Sequence, residues 1–206
     1  MDRIAAVAAA VSVAALVGGV WYVSAPSGTA DPFAQCRTSA IAGGAASIGG
    51  PFELINAQGQ TVTDTDVITG PSLLYFGYTF CPDVCPMDTV RNAETVDLLS
   101  EMGHEVTPVF ISVDPKRDTP EAVGDFAFNL HEKMVGLTGS EQQVRAASQA
   151  YRTYFKVQNG DPDYYLVDHS TFSYLVFPET GFAEFFRRDL SAEQLADRVA
   201  CFVKAI

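Results

Sequence analysis

Apolar and polar positions alternate along this chain in blocks that predict strands and helices by turns. Ser72–Phe80 (SLLYFGYTF) is a continuous apolar, aromatic run, the pattern of a buried strand. After it, Val90, Val96 and Leu99 recur among charges, which predicts a helix with one apolar face. Pro86 is tolerated only in a first turn, so this helix is expected to begin near Cys85. Val106–Val113 (VTPVFISV) predicts a second buried strand. Asp114–Pro120 (DPKRDTP) reads as a loop into a helix. Asp118 or Thr119 can cap that helix, Pro120 suits its first turn, and Val123, Phe126 and Leu130 repeat at helical spacing. Ser140 with Gln143 forms a capping box for a helix running through Tyr151, and Ser191 with Gln194 forms one for a last helix. Leu195, Val199, Phe202 and Ile206 make one stripe on that last helix. Residues 52–63 predict two short strands around a turn at Gln58-Gly59. Thr171–Phe177 and Phe182–Arg188 predict a hairpin closed by Pro178-Glu179-Thr180-Gly181. Gly160–Asp168 (GDPDYYLVD) reads as an acidic, turn-rich loop.

This order, β-α-β-α and then β-β-α with two cysteines after the first core strand, is that of an α/β thioredoxin-like domain: a central mixed sheet with helices on both faces. The domain is expected over residues 51–206. Ahead of it, Ile4–Val23 is a run of 20 residues without a charge, long enough to span a bilayer core. Trp21 and Tyr22 stand at one end as an interfacial anchor and Arg3 at the other, which predicts a single transmembrane helix with a cytoplasmic N-terminus. The organisation expected is therefore a membrane anchor over residues 1–23, a flexible Gly/Ala/Ser/Thr-rich tether over 24–50, and the folded domain. A cleaved signal peptide ending at Ala25 or Ala30 is the rival reading, but the apolar run is longer than a signal core. Either way the domain lies outside the cytoplasm, where disulfides persist.

The 206 residues are 48% hydrophobic and 18% charged, which fits one globular domain plus an appendage. The net charge of −12 argues against a nucleic-acid partner.

Cysteine chemistry sharpens the picture. Cys81 is expected on the loop and Cys85 at the helix N-terminus, where the partial positive charge and free N–H groups favour thiolate. A structural disulfide or two core thiols would need neither the flanking prolines nor the helix end. Three residues separate the pair, where thioredoxin-type redox motifs have two. Two soft sulfur ligands suit Cu(I) and leave a zinc site incomplete. A third donor is needed. His104 reads as a solvated turn residue, and His131 as a complement to a helix C-terminus. His169 closes the acidic loop just before a strand, beside the cysteine turn in a thioredoxin-like domain. It is the candidate ligand, with Asp168 or a backbone carbonyl holding its other ring nitrogen. The remaining cysteines, Cys36 in the tether and Cys201 about 120° off the apolar stripe of the last helix, are expected to form a disulfide. Such a bridge is worth roughly 5 kcal/mol on the chain-entropy estimate. The alternative is two unrelated free thiols.

Three segments then carry a specific resemblance: Phe76–Pro86 (FGYTFCPDVCP), Ile111–Pro120 (ISVDPKRDTP) and Val167–Ser170 (VDHS). Together, and in this order, they resemble the Sco/SenC family of membrane-anchored copper chaperones over residues 50–206. The resemblance implies a thioredoxin-like domain on one membrane helix, facing the periplasm from the inner membrane. It implies one copper ion, Cu(I) or Cu(II), held by Cys81, Cys85 and His169. It also implies service in assembling the copper A centre of cytochrome c oxidase subunit II, with a copper donor or a thiol reductant as further partner. Such a protein is not an enzyme in the usual sense. Thiol–disulfide oxidoreductase chemistry at Cys81 and Cys85, with Cys81 attacking, is the alternative; it would keep the acceptor's cysteines reduced. Peroxidase chemistry is a third reading. It would want an arginine by the thiolate, and Arg91, about 9 Å along the helix from Cys85, is the nearest in sequence.

Overall fold

The computed structural model describes residues 31–38, 44, 47–161 and 164–206. The chain divides into two compact units, Met1–Ala34 and Gln35–Ile206, and the second holds all the described strands and helices. The predicted span Ile4–Val23 lies outside the described residues. Among the described residues no helix is long and apolar enough to cross a membrane.

The elements of the second unit are β1 (Glu53–Asn56), β2 (Thr61–Thr63), α1 (Asp64–Val67), β3 (Ser72–Gly77), α2 (Val84–Glu101), β4 (Thr107–Ser112), α3 (Pro120–Leu130), β5 (Val135–Thr138), α4 (Glu141–Ala150), β6 (Phe155–Val157), β7 (Val167–His169), β8 (Ser173–Phe177), β9 (Gly181–Phe186) and α5 (Ala192–Val203). A seven-stranded mixed sheet runs β2-β1-β5-β4-β3-β8-β9, and β6 pairs with β7 in a separate ribbon. β3, β4 and β5 are parallel, and β8 returns antiparallel on β3. Every residue of β3 is buried, as a central strand covered on both faces must be. Helices flank the sheet, and the fold is thioredoxin-like.

Where local chemistry is strong, the elements fall where the pattern puts them. Ser140 and Ser191 each accept a hydrogen bond from the backbone N–H three residues on, while the Gln143 and Gln194 side chains accept from the cap's own N–H. Thr119 caps α3 through Ala122 N–H, with Pro120 in its first turn.

Three expectations change. Val90, expected on the apolar face of α2, is 41% exposed. The buried side of α2 instead carries Cys85, Asp88, Thr89, Arg91, Asn92 and Thr95 beside Val96 and Leu99. These polar groups are matched locally: Thr89 and Thr95 hydroxyls donate to the carbonyls of Cys85 and Arg91, and Arg91 donates to Ser173 Oγ. The segment 160–168 is not wholly loop, since its end pairs as β7 with β6. The compact unit also begins at Gln35, not Pro51. Cys36 is joined to Cys201 by a disulfide with a Cα–Cα distance of 5.8 Å. Arg37 donates to the Ala183 carbonyl of edge strand β9, Thr38 N–H to the buried Glu184 carboxylate, and Gly49 N–H to the Ala150 carbonyl. Parts of the expected tether are thus docked on the domain.

Candidate metal and thiol site

β3 ends at Gly77 and the chain turns through Tyr78–Asp83 into α2, with Asp83 as N-cap. This turn sets Cys81 just ahead of the helix and Cys85 in its first turn. Gly77 has a packing reason: a Cβ there would lie 3.1 Å from Cys85 Sγ, 2.9 Å from Tyr75 and 3.0 Å from Phe110. The ribbon β6–β7 brings the third residue. Successive side chains of a strand point to opposite sides, so Val167 is buried, Asp168 exposed and His169 half-buried toward the cysteines.

Cys81, Cys85 and His169 present donor atoms that all lie within 4.8 Å of one another. Cys85 Sγ stands 3.1 Å from His169 Nε2. His169 Nδ1 is 2.9 Å from the Ser170 carbonyl. A carbonyl only accepts, so Nδ1 carries the proton and Nε2 keeps its lone pair facing the sulfurs. Burial lowers the His169 pKa below the usual histidine range, which holds the ring neutral and fit to donate that pair. Tyr75 and Tyr78 meet the ring edge-on, with centroids 6.1 and 5.8 Å away. Cys81 and Cys85 are both free thiols, Cys85 fully buried and Cys81 7% exposed. The Cys85 backbone N–H donates to Cys81 Sγ at 3.4 Å.

Two expectations about the site are corrected. The helix end does not win at Cys85: burial, first, and then the neighbouring Cys81 sulfur push its thiol well above the ordinary range, and the donors around it offset only part. Asp168 does not hold His169. Strand alternation turns its carboxylate outward, where it accepts from Gln158 Nε2 at 2.6 Å. The other nitrogen is held by the backbone carbonyl instead.

Neither other histidine joins the site. His131 caps the end of α3 and sits 3.1 Å from Asp97 Oδ1 on α2. His104 lies in the turn after α2, with its N–H bonded to the Leu99 carbonyl. Arg91, needed for peroxidase chemistry, spends its guanidinium on Ser173 Oγ, Asn92 Oδ1 and the Arg187 carbonyl.

Residue-by-residue reading of the cysteines and histidines passes over a second layer. Asp118, fully buried at the mouth of α3, accepts from Thr79 N–H at 3.0 Å, Thr79 Oγ1 at 2.6 Å and Ser112 Oγ at 2.5 Å. It thereby pins the residue two before Cys81. Asp114 accepts from Tyr165 OH at 2.6 Å and from Arg117 Nε at 2.5 Å. The signal was present: paired carboxylates just past the C-terminal end of a buried parallel strand, the end where α/β sheets place their sites.

Fold and site together define a thioredoxin-like protein whose two thiols and one imidazole converge beside the helix that follows the central strand. The chain belongs to the SCO1/SenC family, whose profile matches residues 41–204. It is 52% identical over 206 residues to Protein SenC of Rhodobacter capsulatus, covering 100% of this chain and 92% of that protein. With the mitochondrial Protein SCO1 homolog 1 of Arabidopsis thaliana it shares 42% identity over 158 residues, 76% of this chain and 47% of that one. The crystal structure of Arabidopsis thaliana ScoI with copper bound superposes with a TM-score of 0.73 at 39% identity, over 76% of this chain and 99% of that one.

Proposed function

We propose that this protein is a copper metallochaperone: Cys81, Cys85 and His169 bind one copper ion and hand it to the copper A site of cytochrome c oxidase subunit II. The observation that carries the reading is the convergence of two sulfurs and one neutral imidazole nitrogen within 4.8 Å. That donor set suits Cu(I) and also serves Cu(II). The copper-bound state of a family relative supports the choice of metal. Copper here is cargo. On loading, Nε2 donates without losing a proton, and the Cys85 proton is displaced. Cys81 is the more accessible sulfur, so an acceptor thiolate approaches the metal from its side and replaces the protein's ligands in turn. We place the domain on the periplasmic face of the inner membrane, anchored through Ile4–Val23. The Cys36–Cys201 disulfide favours an oxidising compartment.

The test is an anaerobic Cu(I) titration of the domain from Gln35 onward, with Cys81 and Cys85 reduced and the Cys36–Cys201 bridge intact, and of its Cys81→Ser, Cys85→Ser and His169→Ala variants. One tight equivalent, weakened in all three variants, is the expected result; affinity indifferent to His169 would sink the three-ligand site.

A second reading rests on the two free sulfurs set one turn apart at the start of α2, with the Cys85 N–H donating to Cys81 Sγ. Cys81 thiolate would attack an acceptor's disulfide, and Cys85 would then displace the mixed disulfide. Two acceptor thiols are released as Cys81 and Cys85 are oxidised to a disulfide. Rapid, stoichiometric reduction of a disulfide peptide by a protein with weak copper affinity would favour this reading.

A further inference from the structure

The loop Asp114–Pro120 supplies no metal donor, yet it touches both segments that do. Its Arg117 side chain is only 13% exposed. Nε is bonded to Asp114 Oδ2, while Nη2 is buried with no hydrogen-bond partner among the described residues. Aromatic rings take that place. The guanidinium carbon lies 3.7 Å from the Tyr165 ring centroid, 5.0 Å from Phe80 and 5.6 Å from Tyr78. Tyr78 and Phe80 belong to the turn that carries Cys81. Tyr165 belongs to the strand approach that carries His169. Tyr78 also accepts a hydrogen bond from Val167 N–H at 3.3 Å and stands edge-on to His169. By contrast, Gln158 N–H to Leu166 O and Ser170 N–H to Tyr154 O run within the ribbon itself.

We infer that Arg117 is a positioning residue: its guanidinium, caged by rings from both ligand-bearing segments, ties the His169 ribbon to the Cys81 turn and sets how long the metal site stays closed. The inference rests on the copper reading above and assigns a role to a residue outside the donor set. A guanidinium fits this place because it is flat, weakly hydrated and able to stack on one ring while donating in its plane to Asp114. Attraction between a cation and a ring face is strongest where water is excluded, as it is at the buried Tyr165 and Tyr78 rings, while the exposed Phe80 closes the outer side. A lysine would keep the charge opposite Asp114 but present no plane to Tyr165.

Two measurements on the full domain test this: amide hydrogen exchange of residues 155–169 in the metal-free reduced protein, and the rate of Cu(I) loss to excess bathocuproine disulfonate. In Arg117→Met, protection at Gln158 and Val167 should fall about tenfold and copper loss should speed up about tenfold, the scale of one desolvated cation–π contact. Arg117→Lys should recover only part of either. Tyr165→Phe keeps the ring face and should change both less than Tyr165→Leu. In a His169→Ala background, where the ribbon no longer carries a donor, Arg117→Met should leave copper loss unchanged. Unaltered ribbon protection in Arg117→Met would overturn the inference, and so would acceleration that persists without His169. If Arg117→Met does not fold, Tyr165→Leu probes the same contact from the other side. A wild-type protein that holds no copper would break the functional reading, while the exchange data would still report on the tie.

Discussion

Cys81 and Cys85 sit four residues apart at one end of the central strand and are free; Cys36 and Cys201 sit 165 residues apart and are bonded. Proximity in sequence therefore does not decide which thiols pair. The local sulfurs are already engaged, one with the Cys85 N–H and the other with His169 Nε2, under a cover that leaves them nearly inaccessible. The distant pair joins a segment that would otherwise be loose to the exposed side of α5, beside edge strand β9, which it helps cover. One pair lies free beside an imidazole. The other restrains the unfolded chain and blunts a sheet edge.

The sharpest way to break this contrast is to exchange the variants. Cys81→Ser or Cys85→Ser should lower Cu(I) affinity by more than about 100-fold, since even outer-shell changes cost 10–100-fold. Cys36→Ser with Cys201→Ser should leave affinity within about threefold in a competition titration. Stability should invert the order. Loss of the Cys36–Cys201 bridge should cost about 2–5 kcal/mol in denaturant unfolding, and Cys81→Ser roughly 1 kcal/mol or less. Equal losses in both assays would mean that the two pairs are not functionally separate.

Protons give a smaller, graded effect. Burial raises the Cys85 thiol pKa, so that thiol is protonated before copper arrives and the metal must displace the proton. Affinity should fall about tenfold for each unit the pH drops, per proton displaced. His169 adds nothing to this slope near neutrality, because burial keeps it neutral there. Its effect on folding has a definite sign. The unfolded histidine binds a proton near pH 6.5 and the folded one only at lower pH. Stability of the metal-free protein is thus full above about 6.5 and lost as pH falls toward the folded value. His169→Ala should flatten that decline in unfolding curves taken from pH 7 to 5.

These contrasts also mark how far the sequence could be read. β3, β4 and β8 were legible because a mainly apolar run of strand length, bounded by turn signals, fits little besides a buried strand, and β9, which Glu184 interrupts, because Pro178–Gly181 marks a hairpin. The capped helices were legible because Ser140, Ser191 and Thr119 satisfy their own helix ends through local hydrogen bonds. β5 was not: its Gly136 looks like a breaker, but a Cβ there would collide with the Val123 carbonyl of α3, so the glycine is what lets helix and strand pack. β6 was hidden by its exposed Lys156 and Val157, which present no buried face. At the site, the donors could be found by residue type and spacing. Their electrostatics could not, because the shift at Cys85 depends on how deeply tertiary packing buries it, and a helix end says nothing of that depth. Arg117 and Asp118 were read as loop and cap because their partners, Tyr165 and Thr79, are distant in sequence and meet them only in the fold.

The smallest expected effect tests the histidine's support. Sequence adjacency alone made Asp168 as good a holder of His169 as any backbone carbonyl. Strand alternation separates the two, since neighbouring side chains on β7 cannot face the same way. Asp168 is exposed and bonded to Gln158, whereas Nδ1–H is held by Ser170 O. Asp168→Asn should therefore change Cu(I) affinity by less than about threefold, below the 10–100-fold expected for a true outer-shell partner. The Ser170 carbonyl cannot be removed by a side-chain change, but Ser170→Pro would delete the N–H that donates to Tyr154 O and disturb the backbone that presents it. That variant should weaken copper binding more than Asp168→Asn does. The reverse order in a side-by-side titration would return the supporting role to the carboxylate.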